Sequence, residues 1–153
     1  MRNRTAIALA ATLALASPAL AAETYQFDKS HTTVGFQVRH IFTMLGGKFQ
    51  DFSGTIKVDR AKPENSAVEF TIQAASIDTN EPKRDEHLRS ADFFDVANFP
   101  KLTFSSQKVE KLANGALKVL GQLEIRGTKK AVALEVEPLS ELAKDPWGGM
   151  RRG

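Results

Sequence analysis

The amino-acid sequence predicts an all-β domain of antiparallel strands, arranged as an up-and-down barrel or a sandwich. Three observations predict this class. Hydrophobic residues recur with a period of two in seven segments, short polar connections separate most of them, and one charged segment rich in helix formers interrupts the series. The chain of 153 residues has room for one such domain with a real core and no second domain.

Residues 1–21 have the organisation of a secretory signal peptide. Arg2 and Arg4 form a basic start, residues 6–16 are almost entirely apolar, and small residues precede the cleavage point. A membrane anchor is the alternative, but a run of this length is too short to cross a hydrocarbon core of about 30 Å. We therefore expect an exported protein, periplasmic in a Gram-negative bacterium, whose mature domain is residues 22–153.

Composition excludes several classes of function. The whole chain has 21 Lys and Arg against 18 Asp and Glu, and the predicted leader holds two of the basic residues, which leaves 19 against 18 and a net charge of +1. A nearly neutral domain lacks the clustered basic face that nucleic-acid binding needs. There is no cysteine, so disulfides, thiol catalysis, cysteine-ligated metals and a lipoprotein anchor are excluded.

The hydrophobic alternation predicts seven strands, taken in order along the chain. Their bounds are 24–27, 34–40, 52–58, 68–74, 102–109, 117–125 and 132–136. Phe49 is out of phase with Phe52, which predicts a bulge at residues 50–51. The phase also slips between Phe104 and Val109, and we place that slip at Ser105–Ser106.

The connections predict hairpins and one helical crossover. Asn114–Gly115 lies between two alternating runs and predicts a type I′ turn, in which both central residues have positive φ. Residues 127–130 form the next predicted connection. Between Thr79 and Pro100 the period of two is lost, and residues 81–88 contain enough helix formers for one or two turns of helix.

An up-and-down barrel of seven strands cannot close with every pair of neighbours antiparallel. Because the count is odd, its first and last strands would lie side by side in parallel. Unpaired strand edges are an aggregation hazard, so an eighth strand is expected beyond Gly153. On this interpretation Trp147–Gly153 is poorly packed, and either residues 131–137 or the first strand exposes an unpaired edge.

The inward positions of the predicted barrel are large and apolar, and this lining fits two outcomes. A barrel of eight strands is just wide enough to be filled by side chains or to hold one slender ligand. Four phenylalanines fall outside the predicted strands: Phe42, Phe93, Phe94 and Phe99. They would either line a ligand site at one barrel mouth or plug the open end.

The polar candidates are three histidines and one adjacent pair of charged residues: His31, His40, His87, Arg84 and Asp85. The histidine spacings match no zinc motif, so we expect no metal site and expect a buried histidine bonded to a carboxylate or carbonyl. Arg84 is expected to bind carbonyls or a carboxylate across the barrel end. No nucleophile elbow or phosphate loop is present, and an enzyme with His31 or His40 as its base stays open without a substrate.

Five segments of the chain, in order, closely resemble the YceI-like family of exported bacterial proteins. They are FDKSHTTVGFQVRH, GGKFQDFSGTI, SIDTNEPKRDEHLRSADFFDVANFPKLTFSS, GQLEIRGTKKAVALEV and KDPWGGMRRG. The resemblance spans Tyr25 to Gly153. It implies a lipocalin-like antiparallel β-barrel around an apolar tunnel for a polyisoprenoid, such as an isoprenoid quinone, or another long-chain amphiphile. Family members continue past the DPWG segment with further strands, which implies a C-terminal truncation here.

The resemblance and the strand phases together give the expected site. The protein would be a carrier without catalytic residues, metal or cofactor, and the ligand would touch Phe36, Val38, Phe52, Ile56, Phe70, Ile72, Phe93, Phe94, Phe104 and Leu123. His31, His40, Arg84 and Asp85 would lie at the mouth or brace the barrel. The alternative is an exported structural or stress-associated barrel with a packed core and no ligand. The sequence leaves open whether two copies form a homodimer.

Overall fold

The computed structural model describes residues 22–137, 143–144 and 150–151, and these form antiparallel strands with one α-helix. The strands are β1 (Glu23–Gln26), β2 (Val34–His40), β3 (Thr43–Phe49), β4 (Phe52–Val58), β5 (Ala67–Gln73), β6 (Ile77–Asp78), β7 (Lys101–Lys111), β8 (Leu117–Ile125), β9 (Thr128–Val136), β10 (Ala143–Lys144) and β11 (Met150–Arg151). Helix α1 is Pro82–Arg89, and 3-10 turns occupy Pro63–Asn65 and Ala74–Ser76. The predicted leader lies outside the described residues.

The strands form three antiparallel sheets, which confirms the predicted class. The large sheet has the order β1-β4-β5-β7-β8-β9, the small sheet has the order β2-β3-β6, and β10 pairs with β11. Within the described ranges the sheets do not close into a continuous barrel, and β1 and β9 are the edges of the large sheet. Both edges named by the sequence prediction are thus edges in the structure. The predicted poor packing of Trp147–Gly153 concerns side chains outside the described residues.

The predicted bulge at residues 50–51 is wrong, because this point is a junction between two strands. Strand β3, which the alternation did not predict, ends at Phe49, and the chain passes there from the small sheet into the large one. The Gln50 N–H donates to the Ser76 carbonyl at 3.1 Å, and the Gln73 N–H donates to the Asp51 carbonyl at 2.9 Å. We call residues 50–51 and 74–76 the seam, because both chain segments change sheets there side by side.

The predicted phase slip in β7 is confirmed, but it follows Ser106 and does not lie at Ser105–Ser106. The register with β8 shifts between Ser106 and Lys108, so that Phe104 and Val109 are both 2% exposed on the same face of the sheet. The Ser106 hydroxyl accepts a hydrogen bond from the Val68 N–H at 2.8 Å, which satisfies a backbone donor beside the irregularity.

The type I′ turn lies one hairpin later than predicted. At Asn114–Gly115 only Gly115 has positive φ, and the Leu112 N–H donates to the Ala116 carbonyl at 2.8 Å, as in a longer hairpin loop. Arg126 and Gly127, by contrast, have φ of 48° and 69° and join β8 directly to β9. Both central residues of this two-residue loop are therefore left-handed, which is the type I′ requirement.

The apolar interior has two parts, joined through Phe70. The capped cluster comprises the buried residues Phe49, Phe52, Ile72, Ala74, Ile77 and Leu102. The open wall comprises Phe104, Val109 and Val119, with Val68, Leu117, Leu123, Val132, Leu134 and Val136 packed partly buried around them. Phe70 packs against both parts.

Helix α1 and residues 90–96 after it cover the capped cluster. The helix lies one residue from its predicted bounds, starts with Pro82 after the Glu81 cap and packs against β6. Leu88, Phe94 and Val96 contact the capped cluster. No helix among the described residues is long and apolar enough to span a bilayer.

Candidate ligand-binding site

The inner face of the large sheet is the candidate site. Alternation places apolar side chains of β5, β7, β8 and β9 on one face, while Ser53, Thr71 and Thr103 form a polar row on the other. Burial falls across the inner face, from 2% exposure at Val119 to the half-buried side chains of the edge strand β9. The inner face of β9 therefore keeps apolar surface that the described protein atoms do not fully cover.

Three glycines in the strands allow phenylalanine rings to lie close against the backbone. A Cβ at Gly121 would lie 2.5 Å from Cζ of Phe104, and a Cβ at Gly47 would lie 2.4 Å from Cζ of Phe36. A Cβ at Gly54 would meet Phe27 at 2.6 Å and Phe70 at 2.8 Å. The rings occupy the space that other side chains would fill, so they add bulk to the sheet surface rather than to the space in front of it.

Phe70 and Phe104 continue this flat arrangement across two neighbouring strands. They are directly opposite in the β5–β7 register, and their rings stack with centroids 5.1 Å apart and an interplanar angle of 16°. Such a pair contributes about 0.5–1.5 kcal/mol beyond its buried area. The middle of the sheet is therefore a rigid aromatic surface.

A shallow pocket opens on the inner face beside the β8–β9 turn. Its volume is about 280 Å³, and it is lined by Leu123, Ile125, Thr128, Lys130 and Val132. The lining is apolar apart from Thr128 and Lys130, so an aliphatic chain would enter with a cationic group at its rim. This combination suits an amphiphile better than a fully polar ligand.

The phenylalanines outside the predicted strands have different roles. Phe94 packs edge-on against Phe49 with ring centroids 5.9 Å apart, which fits the plug interpretation. Phe99 covers the β8–β9 turn, with its ring 2.9 Å from where a Cβ of Gly127 would lie. Phe93 is 47% exposed and Phe42 is 99% exposed. These two rings are not brought together with the others.

The ten residues predicted to touch a ligand fall into three groups by burial. Phe52, Ile72 and Phe104 are buried, Phe36, Ile56, Phe70, Phe94 and Leu123 are half-buried, and Val38 and Phe93 are exposed. The sequence interpretation did not include Ile125, Lys130 or the three glycines in the site. The three glycines could have been found from the sequence, because a glycine inside a predicted strand indicates that another group packs closely against the backbone.

The predicted polar residues divide into a buried hydrogen-bond network around Thr79 and several surface side chains. Asp85, 7% exposed, accepts hydrogen bonds from the Thr79 N–H at 2.9 Å and the Thr79 hydroxyl at 2.6 Å. Arg84 donates from Nε to the Thr79 hydroxyl at 2.7 Å and from Nη2 to the Thr79 carbonyl at 2.8 Å. Arg84 thus binds a carbonyl, as expected, but the carbonyl belongs to Thr79, five residues earlier beside β6, and not to a group across the barrel end.

The expectation of a buried histidine is also wrong. His31, His40 and His87 are all exposed. His31 pairs through Nδ1 with Asp28 at 2.7 Å, and His87 pairs through Nε2 with Asp92 at 3.1 Å. The described residues contain no group of three side chains able to hold a metal ion.

Comparison with known proteins identifies the family of this chain. The sequence pattern of the YceI-like domain matches residues 25–145. The chain belongs to the YceI-like family. Curated YceI relatives include the UPF0312 protein of Azotobacter vinelandii, 40% identical over 97% of this chain and 78% of its own length. The protein YceI of Salmonella arizonae is 41% identical over 99% of this chain and 80% of its own length.

Solved structures show the same architecture. BcnA of Burkholderia cenocepacia matches with a TM-score of 0.72 at 25% identity, over 76% of this YceI-like chain and 73% of BcnA. The Campylobacter jejuni YCEI protein matches with a TM-score of 0.63 at 37% identity, over 82% and 74% of the two chains. A polyisoprenoid-binding domain from Saccharophagus degradans shares the fold, with a TM-score of 0.51 at 15% identity over 78% and 66%. The lipocalin-like fold class is confirmed.

Proposed function

We propose that this YceI-like protein is a periplasmic binding or carrier protein for a long-chain polyisoprenoid, such as an isoprenoid quinone, or a similar amphiphilic lipid. The open wall is the observation that carries the proposal. It is a continuous apolar face whose outer members, Val132, Leu134 and Val136, stay only partly buried. The proposal includes no catalytic step, metal or cofactor.

The chemistry of an isoprenoid tail matches this face. The tail has almost no hydrogen-bonding groups, so its binding must come from burial of apolar surface, at about 25 cal/mol per Å². Covering the open wall over some hundreds of Å² would supply several kcal/mol without polar contacts. The rings of Phe36 and Phe104 lie against glycine backbone, and the ring of Phe70 stacks on that of Phe104, so these rings present flat surfaces that leave room for a slender chain.

Three further observations support the proposal. The Saccharophagus degradans domain, which shares the fold, is described as polyisoprenoid-binding. The first 21 residues have the composition of an export signal, which would bring the domain to the compartment between the two membranes. Lys130 at the pocket rim is positioned to meet the polar end of an amphiphile.

The decisive test is to identify what the exported protein carries. Protein purified from the periplasm without detergent should release a long-chain isoprenoid or lipid into an organic extract, detected by mass spectrometry. Delipidated protein should gain thermal stability when an isoprenoid quinone is added, because a ligand that binds only the folded state stabilises it. Absence of both the extracted lipid and the thermal shift would refute the proposal.

The alternative function is an exported structural or stress-associated protein whose interior is packed without ligand. The deep burial of Phe104, Val109 and Val119, each 2% exposed, favours it. Replacing Phe36 or Phe70 by Ala separates the two functions. In a packed interior each change should cost about 3–5 kcal/mol of unfolding free energy, whereas in a ligand-lined wall it should cost much less and weaken lipid binding.

A further inference from the structure

The hairpin formed by β2 and β3 extends beyond the rest of the small sheet and ends in two apolar residues. Its other sheet partner, β6, pairs only with Lys48 and Phe49, at the far end of β3 from the turn. Ile41 and Phe42 form the two-residue turn and are 71% and 99% exposed. We call these two residues the tip.

The flanks of the hairpin extend the apolar surface. Val38 and Met44 are 54% and 53% exposed and stand on opposite faces of the strand pair, because each is one position from the other's cross-strand partner. The described part of the chain has six large hydrophobic residues among its exposed ones, and four of them are on this hairpin. Such concentration in one projecting element marks an interaction surface rather than ordinary surface exposure.

The backbone of the tip indicates that its apolar character is not incidental. Ile41 has φ of 54°, a left-handed conformation that Gly or Asn adopts at much lower cost than a β-branched residue. Folding alone would favour Gly or Asn at this turn. A strained isoleucine beside a fully exposed phenylalanine points to a function for the side chains themselves.

The charge of the hairpin selects the partner. Between Ser30 and Gln50 the sequence has Arg39 and Lys48 and no Asp or Glu. Arg39 lies directly opposite Met44, two residues from the tip. The nearest acidic cross-strand neighbour, Asp78, pairs with Lys48 at the opposite end of β3. An apolar tip followed by an arginine matches the boundary between the acyl chains and the anionic headgroups of a bilayer.

We propose that the tip of the β2–β3 hairpin inserts into the surface of an anionic phospholipid membrane and docks the protein there. Phe42 and Ile41 would enter the boundary between headgroups and acyl chains, and Arg39 would contact the headgroup phosphates. This inference goes beyond the proposed carrier function and does not depend on which ligand the wall holds. It would hold the protein at a membrane surface.

Vesicle binding tests the proposal directly. Protein and variants are exported, purified from the periplasm and checked for an identical N-terminus by mass, then sedimented with vesicles of phosphatidylethanolamine and phosphatidylglycerol or of phosphatidylcholine alone. Wild type should bind the anionic vesicles. Phe42→Ser should bind at least about tenfold more weakly, because an inserted aromatic ring buries about 150–250 Å². Arg39→Gln should lose about fivefold on anionic vesicles and little on phosphatidylcholine.

Two variants separate docking from folding. Ile41→Asn suits the left-handed turn, so it should keep or raise the melting temperature while weakening vesicle binding. Lys111→Gln removes an exposed charge outside the hairpin, in the last residue of β7 in the large sheet, and should bind as wild type does. In addition, Phe42→Trp should show a blue-shifted emission with vesicles beyond that of wild type, whose only tryptophan is Trp147.

The proposal is overturned if wild type ignores anionic vesicles, or if Phe42→Ser and Ile41→Asn bind them as well as wild type. Light scattering measures the oligomeric state and so tests the alternative that the tip binds a second copy of the chain. A dimer that Phe42→Ser dissociates, without vesicle binding by wild type, would show that the tip is a contact between copies. Either result leaves the test for an extracted isoprenoid unaffected.

Discussion

The capped cluster and the open wall belong to the same sheet, and they differ in what lies over them. Leu102 in the capped cluster is 5% exposed because the small sheet and the segment carrying Phe94 cover it. Leu134 in the open wall has the same side chain and the same inward phase, yet it stays half-buried on the edge strand β9. Inward-facing positions in both regions are thus apolar, but such a residue is buried only where another part of the chain packs over the sheet.

The largest expected effect tests this comparison with one matched pair. Leu102→Ala should lower the free energy of unfolding by about 3–4 kcal/mol, because the covered site cannot collapse around the cavity. Leu134→Ala should lower it by only about 1 kcal/mol in protein freed of lipid. Urea denaturation measures both. Equal losses would show that the wall is as tightly packed as the capped cluster and would support the function without a ligand.

The next effect concerns the hydrogen-bond network around Thr79, which connects helix α1 to the end of β6. Asp85→Ala removes the acceptor of the Thr79 N–H and hydroxyl in a buried place, so we expect a loss of about 2–3 kcal/mol. Glu86→Ala, at the exposed neighbouring position of α1, is the control and should change stability little. A loss no larger than that of the control would mean that water replaces the carboxylate. The capped cluster would then be more accessible to solvent than the exposed fractions of its residues indicate.

A smaller effect is expected at the glycine under Phe104. Gly121→Ala places a Cβ within 2.5 Å of the ring and of the Ser105 carbonyl, so the ring must move forward, at about 1–3 kcal/mol. Gly46→Ala is the control, because its Cβ would meet only the Phe36 carbonyl at 3.9 Å. If the wall binds an isoprenoid, Gly121→Ala should also weaken that binding. Unchanged binding would place the ligand elsewhere.

The smallest effect is a pH dependence at the edge of the capped cluster. Hydrogen bonds from the Asn80 N–H and the Gln50 amide hold the pKa of Asp78 below its usual value. A lowered pKa in the folded state contributes stability above the ordinary pKa of about 3.9, and this contribution is lost as the pH falls through the folded value. Asp78→Asn should therefore flatten the loss of melting temperature between about pH 5 and pH 3.

Glu110 on β7, behind the open wall, provides the comparison for Asp78. Its pKa is also lowered, chiefly by a hydrogen bond from Lys108, whose side chain is 66% exposed. An exposed pair contributes little to stability. Glu110→Gln should therefore change the pH profile less than Asp78→Asn. The reverse order would contradict the assignment of the stronger acid sensitivity to the capped side.

Sequence alternation predicted the strands whose two faces differ in polarity and failed where they do not. Strand β8 has the predicted bounds, Leu117–Ile125, because its inward positions are apolar or glycine and its outward positions are polar apart from Leu120. Strand β3 was missed because Met44 and Leu45 put apolar side chains on both faces and Gly46 and Gly47 follow them. The type I′ turn was missed because Arg126 carries no turn preference, while Asn114–Gly115 does.

The side of the sheet that forms the candidate site could be predicted from the sequence, but the burial of its residues could not. Phase placed Phe104 and Leu123 on the inner face, where they lie. Phase also placed Val38 there, but this residue is 54% exposed because the hairpin extends past β6, its partner sheet strand. Burial depends on which other segments cover a residue, and alternation within one strand contains no information about them.

The phenylalanine and glycine pairs have a consequence for how such a protein would diversify. Each pair concentrates bulk in one ring and removes it at a neighbouring position, directly opposite for Phe36 and Gly47 and diagonal for Phe104 and Gly121. A descendant that exchanges the glycine for a larger residue and the phenylalanine for a smaller one keeps the total volume and moves the bulk from one strand to its neighbour. Ligand girth could thus drift between lineages through paired substitutions, while the backbone is inherited unchanged.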